Sequence, residues 1–135
     1  MTPRMNPVVH FEMPYRERER AARFYADAFG WQVQMLGQEM GNYVLVTTAV
    51  ADARPGAPAG AINGGLYPYK ADWPAQHPSV VIGVEDVQAA MARVARAGGQ
   101  VLGEPMPIPG VGEYVAFVDT EGNRHSMLQP LPQAH

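Results

Sequence analysis

The chain has 135 residues, with a hydrophobic fraction of 47%, a charged fraction of 17% and a formal net charge of −3. This length suits one globular domain that buries roughly two-thirds of its unfolded surface. The mildly acidic balance lacks the basic footprint of a nucleic-acid-binding protein. Because there is no cysteine, disulfides, thiolate nucleophiles and cysteine-ligated metals are excluded. No apolar run approaches the ~18 residues of a membrane span and no signal-peptide core is present, so we expect a cytoplasmic protein with no membrane partner.

The first predicted elements are a strand over Val8–Met13 and a helix over Glu17–Phe29. In the strand, period-two alternation places His10 and Glu12 on the same face. Gly30 follows the helix as a left-handed stop. The helix carries an apolar stripe at spacings of three and four, which predicts a buried face made of Ala21, Ala22, Tyr25, Ala28 and Phe29.

Three more strands are predicted in the first half, at Gln32–Leu36, Asn42–Thr48 and Ala61–Tyr67. The first two form an antiparallel pair, and the small residues and prolines between them and the third indicate a surface loop. Gly64 and Gly65 inside the third strand indicate a bulge or a close backbone approach.

The second half repeats this plan at a constant offset of 69 residues, which places Ser79 on His10 and Gly99 on Gly30. The repeat begins with a strand over Ser79–Val84. A helix over Val87–Ala97 follows, with Asp86 as its N-cap. The remaining predicted strands are Gln100–Leu102, Tyr114–Val118 and Arg124–Gln129.

Each half therefore has the order β-α-β-β-β. The sequence predicts a single α+β domain of two tandem modules, about 7–67 and 79–130, joined by a linker over 68–78. One such module alone leaves one face of its sheet exposed to solvent. Two of them are expected to form an incompletely closed, eight-stranded mixed barrel around a cleft.

Several motifs resemble the vicinal oxygen chelate superfamily, which includes glyoxalase I, extradiol dioxygenases and bleomycin-resistance proteins. The matching segments are HFEMP, ERAARFY, FGW, INGGLYP, VEDVQAAMARVARAGGQV, PIPGVGEYVAFVDTEGN and MLQP. They extend over nearly the whole chain and are particularly similar to glyoxalase-like bacterial proteins. The resemblance implies the two-module fold predicted above, and a metal site formed by one ligand from the first and last strand of each module.

Those ligand positions fall on His10, Ser79, Gly64 and Ser126 when INGGLYP and RHSMLQP are aligned through their final Leu-x-Pro. Only His10 has the side chain of a typical ligand, since glycine has no donor and neutral serine binds zinc, nickel or iron poorly. A catalytic metal normally takes three protein ligands. We therefore expect no cofactor and no stoichiometric metal.

An atypical divalent metal is the alternative, and it would use His10, Glu12 and Glu113. Glu12 lies two residues beyond His10, about 6–7 Å further along the strand. Glu113, at the start of the seventh strand, could reach the rim of the cleft. The opposing interpretation is that His10 is a hydrogen-bonded wall residue and Glu12 a satisfied charge.

An aromatic group follows the fourth strand, at Tyr67, Tyr69 and Trp73. Aromatic side chains with polar tips suit a small-molecule site, and they equally suit a dimer interface. The residues expected to line a ligand site are His10, Glu12, Gly64, Tyr67, Trp73, Ser79, Glu113 and Ser126.

Three classes of function follow. The first is metal-free sequestration of an unknown small molecule, as in bleomycin resistance. The second is a glyoxalase-like lyase or isomerase, or a dioxygenase-type enzyme, in which His10 and Glu12 are catalytic. The third is an interaction module with a vestigial cleft. The resemblance also implies a homodimer, and we expect the first-module edge and the aromatic linker to form its interface.

Overall fold

The computed structural model describes residues 5–49, 62–73 and 76–132. In chain order, its elements are β1 (Val8–Tyr15), α1 (Arg18–Phe29), β2 (Gln32–Met35), a short 3-10 turn (Gln38–Met40), β3 (Val44–Thr47), β4 (Gly64–Pro68), β5 (Ser79–Gly83), α2 (Val87–Arg96), β6 (Gln100–Ile108), β7 (Gly112–Val118) and β8 (Arg124–Pro130). The α+β class and the order β-α-β-β-β in each half are confirmed. Within the described ranges, neither helix is long and apolar enough to cross a membrane.

The chain divides into two compact units, and the division falls inside β1. One unit contains His10–Pro78, and the other contains the residues before His10 together with those from Ser79 onward. The start of β1 therefore lies with the second module, where the Gly83 N–H donates to the Pro7 carbonyl at 2.9 Å.

The first module's sheet has the strand order β2-β3-β4-β1. β2 and β3 pair antiparallel to their neighbours, while β1 runs parallel to β4, with Phe11 opposite Gly64 and Met13 opposite Leu66. Val44, Val46 and Leu66 are almost completely buried. The side chains packed against them, which include one from α1, are Phe11, Met13, Tyr15, Ala21, Trp31 and Val33. We call this side of the sheet the helix face and the opposite side the far face.

The second module repeats the arrangement with the strand order β5-β8-β7-β6. β5 runs parallel to β8, and β8-β7 and β7-β6 are antiparallel. Asp86 caps α2 as predicted, because its Oδ1 accepts from the Ala89 N–H at 3.1 Å. The buried side chains on this helix face are Val84, Val87, Ala90, Val115, Phe117 and Met127.

Three expectations about the elements need correction. The stripe on α1 is only partly buried, since Ala22 is 4% exposed but Phe29 is 63% exposed. β1 extends through Pro14 to Tyr15 because both residues pair with β4. β6 continues to Ile108 after a register irregularity between Leu102 and Met106. Its prolines are tolerated because β6 ends the strand order, and an edge strand need not donate on both sides.

The predicted loop between the third and fourth strands, and the predicted start of the fourth strand at Ala61, lie outside the described residues. Gly64 is the first residue of β4, and the carbonyl of the preceding Asn63 accepts from the Phe11 N–H of β1 at 3.3 Å.

Candidate functional site

A hydrogen-bonded group of three side chains lies on the far face of the first module. His10 and Glu12 project from β1 on the same side, as alternation predicted. The Tyr43 hydroxyl lies 2.9 Å from His10 Nε2 and 2.8 Å from Glu12 Oε2. All three side chains are half-buried. One phenolic oxygen therefore joins the imidazole to the carboxylate.

Gly65 makes room for this tyrosine. A Cβ built on Gly65 would lie 2.0 Å from atoms of the Tyr43 ring, including its hydroxyl oxygen. Real Cβ atoms do not approach other atoms so closely, so the ring can occupy this position only above a glycine. The pair of glycines in β4 marks a close approach, as the sequence suggested, although side chains rather than backbone make it.

Gly64 faces the other way, which corrects the expected site. Its Cβ would lie 2.6 Å from the Phe11 ring, on the helix face. Leu66 in β4 and Met127 in β8 are the last-strand residues buried in the two core clusters. Because Gly65 precedes Leu66 and Ser126 precedes Met127, Gly65 rather than Gly64 is equivalent to Ser126. The Leu-x-Pro alignment was one residue out of register, and such a slip moves every side chain to the opposite face.

The pairing registers support the corrected equivalence. In the first module Gly65 lies opposite Leu45 in β3, and in the second Ser126 lies opposite Ala116 in β7. Two residues before those partners, each module has a tyrosine, Tyr43 and Tyr114. The modules thus place a tyrosine at the same position of the far face, beside the last strand.

In the second module this tyrosine also contacts the last-strand position. Ser126 is 4% exposed and its Oγ donates to the Tyr114 hydroxyl at 2.6 Å. There the Tyr114 oxygen accepts a hydrogen bond from the buried Ser126 hydroxyl. In the first module, the Tyr43 ring instead fills the space that a side chain at Gly65 would occupy. Sequence reasoning identified Ser126 but missed both tyrosines. Shifted by two residues, the offset that relates the two halves would have paired these two tyrosines.

The hydrogen bonds determine the protonation of the group. An ionised carboxylate only accepts, so Tyr43 donates its single proton to Glu12. The N–H of the other bond must then come from His10 Nε2, which leaves the lone pair of the neutral ring on Nδ1. Burial lowers the pKa of His10 below its ordinary value of 6.5, and the nearby Glu12 charge partly opposes this shift. His10 is consequently a neutral imidazole at pH 7.

The other predicted site residues of the first module lie at and beyond the end of β4. Tyr67 is half-buried and alternates with Leu66, so it shares the far face with Gly65. Trp73 follows the strand in a turn, is 46% exposed and has Lys70 Nζ 4.4 Å from its ring centroid. The Arg16 guanidinium similarly lies 4.0 Å from the ring centroid of Tyr69.

In the second module, Ser79 begins β5 and is half-buried. Glu113 is exposed and alternates with Tyr114, so it projects on the side of Val115, the helix face. Its expected role as a third metal ligand stays a prediction.

The corrected ligand positions are His10, Gly65, Ser79 and Ser126, and they do not fit a resident catalytic metal. One imidazole, two neutral hydroxyls and a glycine are a poor donor set for zinc, nickel or iron. The Nε2 of His10 is already hydrogen-bonded to Tyr43. Among the residues that the structure describes, no three His, Cys, Asp or Glu side chains are grouped so as to hold an ion.

Comparison with known proteins agrees with the fold. The family model of the Glyoxalase/Bleomycin resistance protein/Dioxygenase superfamily matches residues 8–127. A glyoxylase-like domain-containing protein of Didymella fabae is 31% identical over 119 residues, which are 86% of this chain and 88% of that protein. A probable lactoylglutathione lyase of Vibrio parahaemolyticus is 26% identical over 125 residues, covering 90% of this chain and 89% of that protein.

Among solved structures, a methylmalonyl-CoA epimerase variant from Streptomyces coelicolor superposes with a TM-score of 0.71 at 18% identity, covering 98% of this chain and 99% of that one. This identity supports the fold only. Since the family model extends over most of the chain, the protein belongs to the Glyoxalase/Bleomycin resistance protein/Dioxygenase superfamily.

Proposed function

We propose that this chain is a glyoxalase-like protein that binds a small organic molecule without a resident metal, in the manner of a sequestering protein. The observation that carries the proposal is the Tyr43 hydroxyl above Gly65. It engages His10 Nε2 and Glu12 Oε2, the two groups that a metal at this position would need.

The chemistry of these groups favours binding of a polar organic ligand. A half-buried imidazole and carboxylate are costly to desolvate unless they are hydrogen-bonded, and Tyr43 meets that need within the protein. Few polar groups among aromatic side chains are typical of small-molecule pockets. We include Tyr67 and Trp73 of the same module among the residues proposed to line the site.

A lyase or isomerase that transfers protons is the second candidate. It is favoured by the continuous hydrogen-bond chain from His10 through Tyr43 to Glu12, because such a chain can orient a base and accommodate a proton. The relative named as a probable lactoylglutathione lyase is consistent with it.

We further propose that two copies of the chain form a homodimer. Met35 of the outer strand β2 is 42% exposed, and Trp73 of the aromatic linker is 46% exposed. These exposed apolar side chains could be covered by the first-module edge and linker of a second copy.

The first experiment looks for bound material in protein purified without chelator. We expect a small molecule released on denaturation, and less than about 0.1 metal ion per chain by elemental analysis. The His10→Ala variant should release much less of that molecule, while His77→Ala, at an exposed position, should match wild type. About one zinc, nickel or iron per chain that is lost with His10→Ala would contradict the proposal.

The second experiment separates binding from catalysis. Methylmalonyl-CoA is incubated with the protein in heavy water, and deuterium incorporation is followed by NMR. A sequestering protein gives no exchange above the protein-free rate. Exchange that is lost in both His10→Ala and Glu12→Gln, but kept in His77→Ala, would favour the enzyme instead.

A further inference from the structure

Tyr43 lies at the centre of the site, although the sequence did not indicate it. Its oxygen lies within hydrogen-bond distance of both His10 Nε2 and Glu12 Oε2. It stands on the far face, away from the buried cluster of Val44, Val46 and Leu66. Its hydroxyl therefore serves the polar group rather than the core.

We propose that Tyr43 is a positioning residue that holds His10 in the Nε2–H tautomer and so makes Nδ1 the acceptor offered to a ligand. The ligand class that follows is a neutral molecule with a hydroxyl or N–H donor, rather than a metal-chelating anion. The ligand part rests on the proposed function, whereas the tautomer part does not.

The tautomer follows from the proton count. Glu12 can only accept while it is ionised, the phenol has a single proton, and both bonds meet on one oxygen. If His10 carried its own proton on Nδ1, its Nε2 and the Glu12 carboxylate would compete as acceptors for the single phenol proton of Tyr43. One of the two contacts would then bring two acceptor atoms within 3 Å of each other with no proton between them, which is unfavourable.

Gly65 is the second residue on which this hydrogen-bonded arrangement depends. A Cβ at this position would lie 2.0 Å from the tyrosine ring, so any other residue displaces the hydroxyl from His10 and Glu12. Glycine at a position where the superfamily resemblance implies a metal ligand thus has a positive role here. It lets a hydrogen-bonding phenol, rather than a metal, organise the imidazole.

His125 provides an internal reference for the measurement. Its Nδ1 accepts from the Val80 N–H at 3.1 Å, so its neutral ring must also carry the proton on Nε2. This contact lies within the second module and does not involve Tyr43. A change at the Tyr43 hydroxyl should leave the His125 tautomer unaltered.

The test is long-range proton–nitrogen NMR of the uniformly ¹⁵N-labelled full chain at pH 7.5, with His10 assigned from the His10→Gln variant. We expect the wild-type His10 and His125 rings to give the same pattern, with an unprotonated Nδ1. In Tyr43→Phe, the His10 pattern should move toward a mixture of tautomers while that of His125 stays constant. A wild-type His10 protonated on Nδ1, or a pattern unchanged in Tyr43→Phe, would overturn the tautomer assignment.

Gly65→Ala gives an independent check, because it keeps the hydroxyl but displaces the ring. It should produce the same change at His10 as Tyr43→Phe. If Gly65→Ala leaves the His10 pattern as in wild type, the role given to the glycine is wrong.

The ligand class is tested with phenol and anisole, two probes of similar shape of which only phenol can donate a hydrogen bond. Millimolar phenol should shift the wild-type His10 Nδ1 resonance, and anisole should not. Equal shifts with both probes, or no shift with either, would refute the ligand part while the tautomer result still stands or falls on the spectra of the unliganded protein.

Discussion

Replacing Gly65 by alanine is the sharpest perturbation that the structure offers. The new Cβ would lie 2.0 Å from the Tyr43 ring, so the ring must move and its two hydrogen bonds must break. A neutral hydrogen bond contributes about 1 kcal/mol and one to a charged group about 1.5–3 kcal/mol. Water partly replaces both at a half-buried site, and a Gly→Ala change recovers about 0.4–1 kcal/mol through the unfolded chain. We expect a net loss of about 2 kcal/mol.

Urea unfolding measures this loss. With an m-value of about 2 kcal/mol per molar, the midpoint should fall by about 1 M at unchanged m. Gly83→Ala is the matched control, because its Cβ would meet the Val9 side chain at 3.1 Å rather than at 2.0 Å, and it should cost much less. In a Tyr43→Ala background the clash is absent, so adding Gly65→Ala should then change stability by less than about 1 kcal/mol.

An equal cost of Gly65→Ala with and without the tyrosine would refute the reasoning. It would show that alanine disturbs β4 itself rather than the Tyr43 ring, and the close approach at this position would have no functional meaning.

Three further predictions concern stability and assembly. Because burial lowers the pKa of His10 below 6.5, the unfolded chain binds a proton at His10 at a higher pH than the folded chain does. The contribution of the neutral His10 to stability is therefore complete above pH 6.5 and declines as the pH falls below it. His10→Gln should show a shallower decline of stability in urea unfolding between pH 7 and 5, and an identical decline would contradict the shift. Asp86→Ala removes the side-chain cap of α2 and should cost about 1 kcal/mol, with Asp86→Asn, which keeps an acceptor, as the control; equal losses would argue against the capping bond. Light scattering should report a dimer at micromolar concentration, and a monomer would refute the proposed assembly.

The local pattern of the sequence was sufficient for most elements. Alternation in β1 correctly placed His10 and Glu12 together, since side-chain direction in a strand is a property of neighbouring residues. The offset of 69 residues places Met13 on Ile82 and Tyr15 on Val84, and each of these side chains belongs to or packs against the buried cluster of its own module. Helix stops and caps were equally local, as the left-handed Gly30 shows.

The full length of β6 could not be predicted from the local sequence pattern. The sequence predicts a strand that ends at Leu102, and only the pairing with β7 beyond the irregularity shows that an edge strand accommodates the prolines that follow. The exposure of Phe29 is a similar case, because an apolar stripe predicts a face but not how much of it the neighbouring elements cover.

The site itself depended on the tertiary structure. Gly64 and Gly65 have no side chains to mark a face, so a one-residue error in aligning the last strands left no trace in the sequence. Tyr43 precedes β3 and lies more than 30 residues from His10 along the chain. Composition and periodicity determined that a polar pair would stand on one face of β1, because those are local properties. Which residue meets that pair was decided by strand register, because only the pairing of β3 with β4 brings the Tyr43 ring over a glycine.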